Sequence, residues 1–177
     1  KIARTATSTV WKVQQANGRP AVLKLLHPGE EEEARGADYL QSLAGQGAVE
    51  VHARDGEAIL MEFCPGPSLG DLARRGEDAE AADILCDVVR ALHAAHPPAT
   101  GLQPLASRFA PLITPTLTGD LASAAEFART LLAAAIPPAA LHGDLRHDNV
   151  LHSQRGWLAV DPKGVRGDPA YGPANAF

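Results

Sequence analysis

Leu141-His142-Gly143-Asp144-Leu145-Arg146-His147-Asp148-Asn149-Val150-Leu151 is the stretch whose reading decides the fold of this chain. Upstream of it, Leu121, Ala124, Ala128, Leu131 and Ala135 keep a helical spacing that Pro137-Pro138 ends. Downstream, Asn149-Val150-Leu151 and Trp157-Leu158-Ala159-Val160 bracket Ser153-Gln154-Arg155-Gly156 and predict a hairpin. The stretch is therefore a loop between a helix and a hairpin. Asp161 closes the second strand, twelve residues after Asn149 (161 minus 149). One carboxylate, an amide five residues on (149 minus 144) and a second carboxylate beyond a hairpin suit phosphoryl transfer. That reaction needs an acceptor hydroxyl to be positioned and deprotonated, and oxygen ligands to hold Mg²⁺ against nucleotide phosphates. Asp144 fits the first task, Asn149 and Asp161 the second. Taken singly, each is better explained as a turn or capping residue. Their combination with a lysine far upstream is what points to chemistry.

That lysine is Lys24, inside the apolar run Ala21-Val22-Leu23-Lys24-Leu25-Leu26. It either snorkels on an exposed face or reaches nucleotide phosphates, oriented by a helix carboxylate. Glu30 to Glu33 are the candidate partners, and Glu33 is chosen because it lies deepest in the helix expected over Glu31 to Leu43. The surrounding pattern is strand-rich. Val10 to Gln14 and Ala21 to Leu26 flank Asn17-Gly18, a dipeptide suited to a tight hairpin turn, and Val49 to Ala53 and Ala58 to Phe63 flank Asp55-Gly56. At Pro65-Gly66-Pro67 the pattern changes. Ala81, Leu85, Val88, Val89 and Leu92 predict a helix from Asp78 to about Ala95, stopped by His96-Pro97-Pro98, and residues 97 to 118 read as irregular. The expected fold class is α+β with two lobes. Residues 1–64 form an antiparallel-sheet N-lobe with one helix, residues 65–177 a mainly helical C-lobe with the catalytic loop and metal-binding hairpin, and a ligand cleft lies between them.

Bulk composition narrows the classes. Sixteen basic against 21 acidic residues leave a net charge of -5 (16 minus 21), which is not the basic footprint of a nucleic-acid binder. No apolar run is long enough for a membrane helix. Cys64 and Cys86 lack the paired spacing of a disulfide framework or zinc knuckle. With no signal peptide read at Lys1-Ile2-Ala3, a cytoplasmic protein is expected, and both ends read as trimmed from a longer chain. Other chemistries lack their signatures: neither Gly-x-x-x-x-Gly-Lys-Ser/Thr, nor Gly-x-Gly-x-x-Gly after the first strand, nor Gly-x-Ser-x-Gly is present. His142, His147 and His152, with Asp144 and Asp148, could be taken for a transition-metal site, but steps of five fit neither one helix face nor alternate strand positions. His142 is better read as a buried brace for the loop, His93 and His96 as surface residues at a helix end, and Trp11 and Trp157 as packing residues.

Several stretches together resemble the aminoglycoside phosphotransferase superfamily, which has a protein-kinase-like fold, and within it the streptomycin 6-kinase and hydroxyurea phosphotransferase group. They are Ala21-Val22-Leu23-Lys24, Arg35-Gly36-Ala37, Gly47-Ala48-Val49, Leu60-Met61-Glu62, the His142 to Leu151 loop, Trp157-Leu158-Ala159-Val160-Asp161-Pro162-Lys163-Gly164 and Gly167-Asp168-Pro169-Ala170-Tyr171. The Asp161-Pro162-Lys163-Gly164 step is what narrows the group. The resemblance implies an ATP- and Mg²⁺-dependent kinase of a small molecule with a hydroxyl acceptor. It makes Asp144 the catalytic base, Asn149 and Asp161 the metal ligands, and Lys24 and Glu33 the phosphate-binding pair. Met61 and the hinge Glu62-Phe63-Cys64 would meet adenine, with Val22 and Leu151 lining its site, and Thr7, Ser8 and Thr9 would cover the phosphates. The covering loop has no glycine, and Arg146 stands where family members often carry His. A kinase of a housekeeping small alcohol and a silent nucleotide-binding pseudokinase are the alternatives.

Overall fold

The alternation of Ser8–Gln14 and Pro20–Leu26 produces two strands, β2 and β3, paired antiparallel from Ser8 opposite Leu26 to Gln14 opposite Pro20. In this computed structural model residues 1–114, 118–133 and 136–174 are described. The turn between the two strands spans residues 15–19, longer than the tight turn that Asn17-Gly18 suggests. Only Gly18 of that pair takes a positive φ, +81°, while the Asn17 side chain accepts from the Arg19 N–H. With β1 (Ala3–Arg4), β4 (Val51–Asp55) and β5 (Ala58–Glu62), these strands make a five-stranded antiparallel sheet in the order β1-β2-β3-β5-β4. The helix α1 (Glu31–Leu43) connects β3 to β4. Three glutamates in its first turn complement the helix dipole, and Ala37, Tyr39, Leu40 and Leu43 face the core.

Beyond residue 64 helices dominate. Ser68 and Asp71 form a reciprocal capping box that starts α2 (Leu69–Arg74), and α3 (Asp78–Ala94) buries Ala81, Leu85, Val88 and Leu92. The stretch read as irregular holds structure: a short strand β6 (Gln103–Pro104) and a short helix α4 (Leu105–Phe109). α5 (Asp120–Leu132) lies where helical spacing predicts it, although Ala135 falls outside the described residues. Its expected apolar face is turned differently, with Ala125 and Ala128 buried and Leu121 and Leu131 more than half exposed. Three short strands, β6, β7 (Ala139–Leu141) and β10 (Val165–Gly167), form a sheet in the order β6-β10-β7, and β8 (Val150–Ser153) pairs with β9 (Gly156–Ala159) as the predicted hairpin. A last helical turn, α6, covers Tyr171–Ala174.

The sheet-bearing and helical parts share one apolar cluster. It runs from Leu26, Tyr39 and Met61 through Leu72 and Leu85 to Val150 and Leu158. Backbone bonds stitch the seam: the Val49 N–H donates to the Ala159 carbonyl at 3.1 Å, and the Ala159 N–H to the Gly47 carbonyl at 3.0 Å. Among the described residues no helix is long and apolar enough to cross a membrane.

Candidate active site

The loop after β7 is held by a buried histidine. His142 is 2% exposed. Its Nε2 lies 2.9 Å from the Val160 carbonyl and its Nδ1 3.3 Å from the Asp144 N–H. A carbonyl can only accept and an N–H can only donate, so the ring is neutral, protonated at Nε2 and accepting at Nδ1. Burial pushes its pKa down to about 4, which keeps that tautomer at neutral pH. Both nitrogens are therefore engaged in bracing the loop and neither is free for a metal. The Lys163 N–H donates to the His142 carbonyl at 2.7 Å, so the same residue ties down the segment after Asp161.

Asp144 stands at the head of this loop with its carboxylate partly exposed. Asn149, in a 3₁₀ turn (His147–Asn149), is buried behind it. The Asn149 amide nitrogen donates to the Asp144 carbonyl at 2.8 Å and to its carboxylate at 3.1 Å. That turns the amide oxygen away from Asp144 and leaves it as the acceptor end of the side chain. The 3₁₀ turn is tethered to α2, because Asp148 accepts from Arg74 at 3.0 Å and from Ser68 at 3.3 Å. The Arg74 hydrogen bond holds the Asp148 carboxyl below its usual range.

A chain of alternating charges crosses from α1 to the turn that carries Asp161. Lys24 donates to Glu33 and, at 2.5 Å, to Asp161. Lys163 donates to the other oxygen of Glu33 at 2.6 Å. Burial raises the Glu33 pKa, but the two lysines outweigh it and the net shift is downward. Asp161 behaves alike: its partial burial raises the pKa, and the Lys24 charge brings it below the ordinary value. Asp161 also has φ +56°, a left-handed conformation that few non-glycine residues adopt. A carboxylate and an amide oxygen are hard donors of the kind Mg²⁺ accepts alongside phosphate oxygens and water. No group of three or more His, Cys, Asp or Glu side chains suited to a protein-caged metal occurs among the described residues.

These groups open onto a cleft of about 500 Å³. Thr7, Ser8, Val22 and Lys24 line it from the sheet, Glu33 from α1, and Met61, Glu62, Phe63 and Cys64 from the end of β5. Asp144, Leu151 and Asp161 line the opposite side. Of the residues singled out in the sequence, Thr9 and Asn149 do not reach the cleft lining: the Thr9 hydroxyl lies 3.4 Å from His27 Nε2, and Asn149 sits beneath Asp144. The Glu62 N–H is engaged by the Glu50 carbonyl at 2.9 Å, and its side chain accepts from Arg155 at 2.5 Å. Burial pushes the Cys64 thiol up to about 11, so it stays protonated at neutral pH.

Two residues escaped the sequence reading. Arg155, at the β8–β9 turn, also donates to the carbonyls of Gly45 at 2.8 Å and Ala48 at 3.1 Å. Lys163 was noticed only as part of a motif, yet it holds Glu33. In both cases the partner is more than 90 residues away along the chain, and no local periodicity reports such a contact. Arg146 also lines the cleft, with Nε 3.6 Å from the Asp144 carboxylate.

With this geometry established, the relatives are informative. All 177 residues match the family described as aminoglycoside/hydroxyurea antibiotic resistance kinase. The chain is 41% identical to a streptomycin 3''-kinase of Klebsiella pneumoniae over its whole length. It is 36% identical to a hydroxyurea phosphotransferase of Kitasatospora aureofaciens and 32% identical to a streptomycin 6-kinase of Streptomyces griseus, each over 93% of its length. It spans 67%, 52% and 56% of those three proteins. Among solved structures, amicoumacin kinase in complex with AMP-PNP, Ca²⁺ and its antibiotic superposes with a TM-score of 0.68 at 15% identity, covering 99% of this chain and 62% of that one. The likeness extends the two-lobed kinase fold to this chain.

Proposed function

This chain belongs to the aminoglycoside/hydroxyurea antibiotic resistance kinase family, and from that premise we propose that it transfers the terminal phosphoryl group of ATP to a hydroxyl of a streptomycin-type aminoglycoside. The observation that carries the reading is the convergence on one cleft of Lys24, paired to Glu33, with Asp161 and the Asn149-braced Asp144. Residues 1–64 would form the nucleotide lobe and residues 65–177 the lobe that presents the acceptor to Asp144. Adenine would lie against Val22, Met61, Phe63, Cys64 and Leu151, and Thr7 and Ser8 would cover the phosphates. Lys24 would neutralise phosphate charge while Glu33 keeps its ammonium in place. Asn149 and Asp161 would hold Mg²⁺, which supplies further neutralisation of the phosphate oxygens. Asp144 would orient the acceptor hydroxyl and take its proton as the oxygen attacks. Catalysis would come mainly from positioning and charge stabilisation. A requirement for ATP supports a cytoplasmic site of action.

A second acceptor, hydroxyurea, is supported by the 36% identity to the hydroxyurea phosphotransferase. The test is ADP release from Mg²⁺·ATP in the presence of streptomycin, hydroxyurea or choline, with product mass measured for each. Streptomycin-dependent turnover is expected, lowered roughly 10²–10⁴-fold in Asp144→Asn. Turnover that Asp144→Asn leaves intact would remove Asp144 from its role, and turnover with choline alone would replace the antibiotic reading with a metabolic one.

A further inference from the structure

The carboxylate of Glu33 has two cations, one on each oxygen. Lys24 takes Oε2 and Lys163 takes Oε1 at 2.6 Å, with the Glu33 side chain 3% exposed and that of Lys163 18%. One lysine already neutralises one buried carboxylate. The second leaves the triad with one net positive charge, which Asp161 meets through Lys24 at 2.5 Å and, less closely, Glu32 meets through Lys163 at 3.8 Å. Whenever Asp161 is engaged elsewhere, that charge faces a cleft suited to an anionic ligand.

The second lysine also sits at a point of backbone contact. A Cβ on Gly36, in α1, would run into the Pro162 carbonyl, and one on Gly164 would come within 2.7 Å of the Arg35 carbonyl. The helix and the 161–164 turn touch without side chains between them. Lys163 bridges the same contact by charge, reaching Glu33 and, at 3.8 Å, Glu32. Glu32 is itself 3.3 Å from Arg108.

The geometry points to Lys163 as a positioning residue: by occupying one oxygen of Glu33 it binds α1 to the turn that carries Asp161 and leaves Lys24 only half-claimed by Glu33, so that Lys24 can serve phosphate when Asp161 is engaged elsewhere. This rests on the reading of Lys24 as the phosphate-binding lysine. The consequence is that α1 and the metal-ligand turn move as one body, so the Lys24–Glu33 pair is formed before nucleotide arrives.

Titration calorimetry with Mg²⁺·AMP-PNP tests the phosphate half. Lys163→Gln and Lys163→Met should each weaken binding by about tenfold, and Lys163→Arg should restore most of it. In a Glu33→Gln background the Lys163→Gln loss should shrink below about twofold, because both act through one carboxylate. Wild-type affinity in Lys163→Gln, or losses that add in the double variant, would overturn the assignment. Hydrogen exchange of residues 31–43 in the nucleotide-free chain tests the mechanical half. It should speed up in Lys163→Gln and not in Lys163→Arg, and unchanged exchange in Lys163→Gln would sink the link. A wild-type chain that binds no nucleotide, with Lys163→Gln still loosening α1, would count against the phosphotransferase reading while leaving the coupling in place.

Discussion

Two cavities of similar size, both with largely apolar walls, differ in the charged groups they hold. The cleft of about 500 Å³ is floored by paired charges, whereas a second cavity of about 630 Å³, between α4, α5, β10 and α6, is lined mainly by Leu105, Phe109, Leu112, Phe127, Leu131 and Tyr171. They share no lining residue. In the cleft each ionised group has a counter-ion and the loop carrying Asp144 is braced from behind. In the apolar cavity the walls end in exposed side chains, Phe127 at 66% and Leu131 at 53%. Volume and apolar lining thus identify a place where something can pack, while preorganised polar groups identify a place where a reaction can occur.

The widest separation between the two should come from a matched pair of substitutions. Asp144→Asn is expected to cut phosphoryl transfer by roughly 10²–10⁴-fold, and Phe127→Ser to leave its rate unchanged and shift stability by no more than about 0.5 kcal/mol. A steady-state assay and a thermal melt on both variants decide this, and a rate loss in Phe127→Ser would tie the apolar cavity to the chemistry.

Next in size is the brace beneath the cleft. His142 is neutral in the folded chain, with its pKa lowered to about 4 from 6.5. The unfolded chain takes up a proton below about pH 6.5, while the folded one resists until about pH 4. Stability is thus complete above pH 6.5 and declines as pH falls toward 4, by roughly 3 kcal/mol if His142 acts alone. Denaturant melts at pH 7.5, 6, 5 and 4 should show this decline beginning near 6.5. His142→Gln should flatten the upper part of it, and a wild-type profile flat from 7.5 to 5 would contradict the buried neutral ring.

The smallest effect concerns the seam at the back of the cleft. Arg155 serves Glu62 and two backbone carbonyls from a half-exposed position. Arg155→Ala should cost about 1–2 kcal/mol. Because Glu62 lies at the cleft end of β5, nucleotide affinity should weaken with it, whereas a purely apolar seam would lose stability alone.

How much of this was legible in the sequence depends on how local each signal is. The helix expected from Glu31 to Leu43 is the one observed, because Pro28-Gly29 precedes it and a run of acids suits its first turn. The Asp144, Asn149 and Asp161 spacing was legible because one loop and one hairpin carry all three. The Ser68 and Asp71 capping box lay in plain view, three residues apart, and went unread beside the stronger Pro-Gly signal preceding it. For α5 the period gave the helix but not the face, since its small alanines are buried and its leucines left out. Lys163 and Arg155 were beyond any local pattern, because a loop cation finds its partner only after the chain has brought distant segments together.

The contact between α1 and the turn after Asp161 has a mechanical corollary. Where Gly36 meets the Pro162 carbonyl there is no clearance at all, so a single methyl group there acts as a shim. Gly36→Ala would wedge the helix outward while leaving every charged group intact. The chain would then report, in one substitution, how fine a tolerance the spacing between two backbones must keep for Lys24 to stay in register with Glu33.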